Sequence, residues 1–182
     1  MSEIKELSSS HKDIERIELL GIGTFGRVYR AKRNREDVAI KILQIESNEF
    51  HTLFREIYFL NRFKSIKCPY IIEYCDSYIY NTSELWILME YCDCGSLSDI
   101  NEINKKKQIN FLEAELQAII TCSILGLVHI HQYNSIHRDI KASNLLLSSS
   151  GRVLISDFSV STKGNKPSQR TNTGIYEIYI IT

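Results

Sequence analysis

The chain has 182 residues, of which 43% are hydrophobic, so it is long enough to bury a sizeable core. Its 22 Lys and Arg residues equal its 22 Asp and Glu residues, and no global charge therefore favours a nucleic acid or an anionic membrane. The start is polar, no run of 18 apolar residues occurs, and the five cysteines lack paired CxxC spacing. These features predict a cytoplasmic chain with reduced thiols, without a nucleic-acid or membrane partner.

A glycine-rich turn joins the first two β-type runs, residues 17–20 and 28–31. It comprises Gly21, Ile22, Gly23, Thr24, Phe25 and Gly26. Glycines allow backbone amides to approach an anion closely, and Phe25 at the tip could shield that anion from water. A dinucleotide site would require a helix after this motif, whereas a second β-type run follows here. The turn therefore favours a loop that lies over phosphates.

Lys41 interrupts an otherwise apolar predicted strand, residues 38–43. Apolar residues then recur at spacings of three and four over residues 48–63, which predicts an amphipathic helix with Glu56 beside its apolar stripe. Lys41 is suited to contact the α and β phosphates of a nucleotide, and Glu56 to pair with Lys41. The alternatives are a lysine that points to solvent and a solvated glutamate.

Two further β-type runs, residues 71–80 and 85–91, flank a turn and complete a small antiparallel sheet with one helix. The pattern then changes from strands to helices, which predicts a hinge. Residues 105–107 are expected to form a solvated lysine-rich loop. A long helix with one buried face is predicted from residue 112 to about residue 134.

The segment after that helix combines an acid, a cation and an amide. Asp139 can accept the proton of an attacking hydroxyl, and Lys141 can lie near a transferring phosphate. Asn144 can bind magnesium, as can Asp157, which follows a short predicted hairpin. An ordinary polar turn is the alternative, but this spacing of three functional groups indicates phosphoryl transfer.

In their order, these four elements resemble those of eukaryotic protein kinases. Lys141, two residues after Asp139, resembles the serine/threonine type, and residues 85–92, 95–100 and 137–147 are similar to the sterile-twenty-like or germinal-centre group. The resemblance implies a bilobal α+β fold, with a complete N-lobe of antiparallel sheet plus one helix and a partial, mainly helical C-lobe. The expected segments are a disordered N-terminus (1–12), the N-lobe (13–88), a hinge (89–95), the partial C-lobe (96–173) and a divergent tail (174–182).

The resemblance also implies ATP and Mg²⁺ as cofactors and transfer of the γ-phosphate to serine or threonine hydroxyls of proteins in signal transduction. An upstream or trans-activating kinase is expected to act on Thr171 or Thr173. The implied catalytic residues are Asp139, Lys141, Lys41 and Glu56, and the implied metal ligands are Asn144 and Asp157. The implied nucleotide-binding residues are Leu20, Gly21, Ile22, Gly23, Thr24, Phe25, Gly26, Val28, Ala39, Lys41, Met89, Glu90, Cys92 and Leu146.

Two features depart from the family. Ser159 stands where the family has glycine after Asp-Phe, and a left-handed backbone there would cost about 1 to 2 kcal/mol. From Gly174 the sequence lacks the expected Ala-Pro-Glu, so we expect a truncated kinase with an uncovered apolar helix face over residues 116–128. The alternatives are a non-catalytic nucleotide-binding or partner-binding fragment and a full kinase whose gene is incompletely read.

Overall fold

The computed structural model describes residues 5–6, 14–23, 26–45, 50–65 and 67–164. It divides the chain into two compact units, the first with residues 1–67 and 72–91 and the second with residues 68–71 and 92–182. The division at residues 91 and 92 falls inside the predicted hinge. Residues 68–71 were predicted in the N-lobe but group with the second unit, because Tyr70 accepts a backbone hydrogen bond from Ile155 of that unit.

The first unit is built on a six-stranded sheet with one helix. In chain order its elements are β1 (Lys5–Glu6), β2 (Ile14–Gly23), β3 (Gly26–Arg33), β4 (Glu36–Gln44), α1 (Phe50–Lys64), β5 (Tyr74–Tyr80) and β6 (Glu84–Glu90). The strands lie in the order β1-β5-β6-β4-β3-β2. All neighbours are antiparallel except β1, which pairs with β5 in parallel.

Strand β1 lies within the segment predicted to be disordered, and it is the only described part of residues 1–12. Lys5 pairs with Tyr78 and Glu6 with Ile79. Without β1, β5 would be the edge strand of the sheet and would present a row of free backbone groups, which is a template for one more strand. Sequence patterning could not predict this short strand because two residues carry no periodicity.

The two faces of the sheet separate because successive strand residues point to opposite sides. One face carries a buried cluster that includes Ile40, Trp86 and Leu88, with exposed fractions of 0%, 5% and 0%. Ala39 and Lys41 alternate with these residues and lie on the other face, where α1 supplies Glu56. The sheet register therefore turns the nucleotide-binding candidates of β4 toward the helix side.

The second unit is mainly helical, and it also contains two short two-stranded sheets and one 3₁₀ turn. In chain order these are α2 (Leu97–Lys107), α3 (Glu113–Gln132), β7 (Ser135–Ile136), a 3₁₀ turn (Ala142–Asn144), β8 (Leu145–Leu147), β9 (Val153–Ile155) and β10 (Thr162–Lys163). Strand β8 pairs with β9, and β7 with β10. Helix α3 packs against β9, where Gly126 allows a close approach to Tyr70 and Ile155.

Helix α2 corrects the prediction of a lysine-rich loop, because residues 105–107 form its exposed last turn. Ser96 and Asp99 form a capping box at its start, with the Ser96 hydroxyl 3.1 Å from the Asp99 amide and the Asp99 carboxylate 2.8 Å from the Ser96 amide. The basic last turn also suits the negative end of the helix dipole.

Helix α3 has the uncovered apolar face that the sequence predicts. Its buried residues are Ile119, Gly126 and Ile130, whereas Leu116, Ile120, Ile124 and Val128 are 38% to 54% exposed. No Asp, Glu, Lys or Arg occurs over residues 116–137. By length and composition alone α3 could also cross a membrane, a test that the core helices of soluble proteins pass as well.

Candidate functional site

The glycine-rich turn connects β2 to β3 with Gly23 opposite Gly26. A Cβ on Gly26 would collide with the Ile42 carbonyl and lie 2.7 Å from Leu43 Cδ2, so the sheet requires glycine there. Gly21 has no atom within 4 Å of a hypothetical Cβ, which leaves open space beside the strand. Thr24 and Phe25, at the predicted tip, lie outside the described residues.

Lys41 of β4 and Glu56 of α1 form the ion pair that the sequence predicts. Lys41 Nζ lies 2.7 Å from Glu56 Oε2 and 2.9 Å from Glu56 Oε1. The side chains are only 9% and 2% exposed. Burial strengthens the attraction between the two charges but also removes their water, so each charge depends on its partner. The pair holds an ammonium group at a fixed position on the helix side of the sheet.

The predicted nucleotide-binding residues of the first unit differ in exposure. Leu20 and Ile22 of β2 are exposed at 42% and 73%, while Val28 of β3 is half-buried. Ala39 and Met89 lie opposite each other on paired strands β4 and β6, and both are buried. The Glu90 carboxylate accepts the backbone N–H of Glu73 at 2.9 Å, which ties the end of β6 to the segment before β5.

The remaining two adenine candidates belong to the second unit. Cys92 is buried, and its carbonyl accepts the Gly95 N–H at 3.3 Å. Leu146 of β8 is half-buried and forms a bridge with Ser96. Two further backbone hydrogen bonds, Cys94 to Leu147 and Leu147 to Gly95, join the same segments at 3.2 and 2.9 Å. These bonds hold the chain after Cys92 against β8.

Four hydrogen bonds form a closed ring that includes the candidate acid Asp139. Its amide donates to His137 Nδ1 at 3.3 Å, and His137 Nε2 lies 2.9 Å from the Ser156 carbonyl. The Ser156 amide donates to the Asn144 carbonyl at 2.9 Å, and Asn144 Nδ2 donates to the Asp139 carbonyl at 2.8 Å. Each residue of the ring is therefore restrained from two sides.

The ring fixes the protonation of His137. Since Nδ1 accepts the Asp139 N–H, the proton of a neutral imidazole lies on Nε2, which donates to Ser156. Burial lowers the pKa of His137 below its ordinary value of 6.5, although the Ser156 carbonyl and nearby carboxylates oppose this shift. His137 is 1% exposed and packs edge-on against Phe158, with ring centroids 4.8 Å apart.

The side chains of Asp139, Lys141 and Asn144 converge, as the spacing predicts. Lys141 Nζ lies 2.8 Å from Asp139 Oδ2, and Asn144 Nδ2 lies 2.9 Å from the same oxygen. The two charged side chains are 46% and 32% exposed, so both face solvent in part. A carboxylate that is accessible, oriented by an amide and paired with a cation can receive a proton from a bound hydroxyl.

Asp157, the other candidate metal ligand, follows Ser156 of the ring and adopts a left-handed backbone with φ of 62°. Ser159 does not adopt the left-handed backbone that would have been costly there, because its φ is not positive. Aspartate tolerates this region better than most residues. Asp157, Asn144 and Asp139 offer carboxylate and amide oxygens, the donors that Mg²⁺ prefers.

Sequence reasoning missed three residues that position the site. Ser156 donates its N–H and its hydroxyl to the Asn144 carbonyl, the hydroxyl at 3.1 Å. Ser161 is 1% exposed and donates its hydroxyl to the His137 carbonyl at 3.2 Å. Asp93 accepts the Ser149 N–H at 2.8 Å. Sequence alone could not reveal these contacts, because serine and aspartate are common in loops and carry no motif here.

Known proteins match this chain over most of its length. It is 37% identical to the serine/threonine-protein kinase hippo of Drosophila melanogaster over 177 residues, which are 96% of this chain and 25% of that protein. It is 41% identical to the serine/threonine-protein kinase pakH of Dictyostelium discoideum over 157 residues, 85% of this chain and 29% of that protein. The chain thus spans about a quarter of the length of these curated relatives.

The profile of the protein kinase domain matches residues 14–180. This range contains the glycine-rich turn, the Lys41–Glu56 pair and the ring around Asp139, and it also includes residues 174–180, where the sequence analysis expects divergence. Both relatives are serine/threonine kinases, as the resemblance predicts. A match of this extent, on a chain with this geometry, shows that the protein belongs to the protein kinase domain family.

Proposed function

We propose that this chain is an ATP-dependent protein serine/threonine kinase that transfers the γ-phosphate of ATP to a hydroxyl group. The observation that carries the proposal is the restrained carboxylate of Asp139, with Lys141 at 2.8 Å and Asn144 at 2.9 Å. A preorganised acid and cation avoid reorganisation when charge moves during the reaction. The proposal concerns this chain, whose relatives are about four times longer.

In the proposed reaction the substrate hydroxyl oxygen forms a bond to the γ-phosphorus, and the bond to the bridging oxygen of ADP breaks. The proton of the hydroxyl passes to the Asp139 carboxylate, which the ring holds in place. Lys141 offsets negative charge on the transferring group. These roles need a partly exposed carboxylate with a cation close to it. Asp139 and Lys141 provide this arrangement.

Nucleotide-binding roles are proposed for each unit by itself. Lys41, held by Glu56, would contact the α and β phosphates, and the glycine-rich turn would approach them with backbone amides. In the first unit the apolar side chains of Leu20, Val28 and Ala39 would contact the base, with Met89 as gatekeeper. In the second unit Leu146 would contribute an apolar contact to the base. The backbone groups of Glu90 and Cys92 would bind its polar edge.

Asn144 and Asp157 would hold Mg²⁺, which neutralises phosphate charge when it is bound. The fit rests on the oxygen donors and on the Ser156 N–H, which donates to the Asn144 carbonyl and so ties the residue before Asp157 to the backbone of Asn144. Among the described residues no group of three or more His, Cys, Asp or Glu side chains could hold a metal ion. A two-ligand site completed by phosphate oxygens and water agrees with that composition.

The proposed partners are ATP, a serine- or threonine-containing protein and an activating kinase, in the cytoplasm. Phosphorylation of Thr171 or Thr173 would place charge that Arg138 could bind. Arg138 is exposed, with a left-handed φ of 73°, whereas both threonines lie outside the described residues. All five cysteines are free thiols in the structure.

Two measurements on the purified chain test the proposal. Calorimetric titration of a non-hydrolysable ATP analogue should show binding that strengthens with Mg²⁺. Transfer of labelled γ-phosphate should then be measured with peptides that differ only in a serine, threonine or tyrosine acceptor. We expect incorporation into serine or threonine, and loss of at least 100-fold in Asp139→Asn, which keeps the shape but removes the proton acceptor.

Asp37→Asn is the matched control, since it removes an exposed carboxylate of the first unit. Equal incorporation by the wild-type and Asp139→Asn chains would contradict the assigned chemistry. Nucleotide binding without incorporation into any acceptor would identify a non-catalytic nucleotide-binding protein instead.

A further inference from the structure

We infer that an exposed apolar stripe on α3 is the interface with a second copy of this chain, in an antiparallel twofold dimer. The α3 stripe comprises Leu116, Ile120, Ile124 and Val128. The inference goes beyond the proposed function, and its test does not depend on catalysis.

The α3 stripe is a continuous apolar ridge along the helix. Its residues follow one another at a spacing of four, so their side chains are neighbours on the helix surface. They are 38% to 54% exposed, whereas Ile119, Gly126 and Ile130 form the buried side of α3. No Asp, Glu, Lys or Arg interrupts the sequence over residues 116–137. A contiguous exposed apolar surface of this kind marks an interaction site.

The stripe is symmetric about position 122, and this symmetry favours a second copy as the partner. Leu116 and Val128 lie equally far from that position, and so do Ile120 and Ile124. When a second α3 runs antiparallel over the first, Leu116 therefore meets Val128 of the other copy, and Ile120 meets its Ile124. Each contact then occurs twice, as in every isologous interface. An unrelated partner would not require this symmetry.

The polar ends of α3 select the antiparallel direction. Glu113 in the first turn and His131 in the last turn are both exposed, and they too lie equally far from position 122. Glu113 precedes Ile120 by about two helical turns and His131 follows Ile124 by about two, so both continue the face of the stripe. Antiparallel pairing places each carboxylate beside an imidazole of the other copy, which can donate a hydrogen bond to it. Parallel pairing would instead bring the two carboxylates together.

The first experiment measures the association of the full chain by sedimentation velocity over a series of protein concentrations. We expect a reversible equilibrium between monomer and dimer. Ile124→Gln should weaken association by at least about tenfold, because each dimer would then bury two side-chain amides without partners. Ile103→Gln is the matched control, since Ile103 of α2 is 49% exposed and Ile124 is 54% exposed. This control should leave the dissociation constant unchanged.

The second experiment tests the orientation by exchanging the charges of the two ends. His131→Glu alone would set acidic side chains against each other, and Glu113→Lys alone would remove the attraction, so each should weaken association by about threefold or more. The double variant restores oppositely charged pairs across the dimer, and its dissociation constant should return to within about threefold of the wild type. Both substitutions oppose the helix dipole, so a merely structural effect on α3 would add up in the double variant rather than cancel.

The inference is overturned if the chain stays monomeric at every concentration, or if it forms open-ended aggregates instead of a dimer. It is also overturned if Ile103→Gln weakens association as much as Ile124→Gln. A double charge variant that associates no more tightly than the single variants would refute antiparallel pairing. Ile178→Gln tests the divergent tail, which lies outside the described residues. Loss of the dimer in that variant would assign the interface to the tail and reject the α3 stripe.

Discussion

Removal of one charge from the Lys41–Glu56 pair should strongly destabilise the first unit. Glu56→Gln retains the shape of the side chain but leaves the Lys41 ammonium, whose side chain is 9% exposed, without its carboxylate. Breaking a buried pair in this way costs about 3 to 5 kcal/mol, since the remaining charge is not solvated. For a chain of this size, that loss corresponds to a fall in melting temperature of roughly 6 to 20 °C.

The assay can follow the first unit alone. Trp86 is the only tryptophan of the sequence, and it lies buried in β6, stacked on Tyr80 at 4.7 Å. Its fluorescence during urea denaturation therefore reports the sheet that carries Lys41. The double variant Lys41→Met with Glu56→Leu should recover most of the lost stability, because an apolar pair leaves no buried charge.

Asp37→Asn is again the control, because it breaks the ion pair between Asp37 and Arg30. The exposed fractions of these side chains are 33% for Asp37 and 31% for Arg30. Solvent screens that pair, so the fluorescence midpoint should shift far less than in Glu56→Gln. If Glu56→Gln and Asp37→Asn shift the midpoint equally, the argument from burial is wrong. The same conclusion follows if the double variant loses as much stability as the single variants Lys41→Met and Glu56→Leu lose together.

Three further predictions follow from other contacts. Burial lowers the pKa of His137 in the folded chain. As the pH drops below 6.5, the unfolded chain therefore binds this proton before the folded chain does, and the free energy of unfolding should fall. The difference between the denaturation midpoints at about pH 7.5 and pH 5.5 should be smaller in His137→Phe than in the wild type. Ile124→Gln, at a 54% exposed position of α3, should reduce binding of an apolar dye and self-association at little cost in melting temperature, whereas Ile130→Gln, fully buried, should unfold the chain. Gly126→Ala should destabilise by about 1 to 3 kcal/mol in calorimetry, because its Cβ would lie 2.7 Å from Ile155 Cδ1; an unchanged melting temperature would show that the helix relaxes.

The sequence predicted best those features that depend on a few residues at fixed spacing. The Lys41–Glu56 pair and the convergence of Asp139, Lys141 and Asn144 follow from strand alternation, helix periodicity and a short loop. Helix α2 was missed because its interior is polar, with many lysine and asparagine residues. The signal was present in the capping box, serine followed three residues later by aspartate.

Other features depend on tertiary context that spacing does not encode. Asp157 adopts the left-handed conformation next to Phe158, which packs against His137, and its carboxylate accepts the Ser159 N–H at 3.4 Å. Nothing in a local pattern decides which of the neighbouring residues absorbs that strain. The grouping of residues 68–71 with the second unit likewise depends on a backbone contact with Ile155, more than 80 residues away.

The ring around Asp139 links the charge state of one histidine to the geometry of the proposed reaction. A protonated His137 would present a donor at Nδ1 toward the Asp139 N–H, and the two donors would repel each other. The ring would then open on the side of Asp139, while Asn144 still held its carbonyl. Because burial keeps His137 neutral, the ring stays closed at neutral pH. The buried imidazole thus serves as a fixed donor and acceptor, and the side-chain carboxylate of Asp139 stays outside the ring, where it is the proposed proton acceptor.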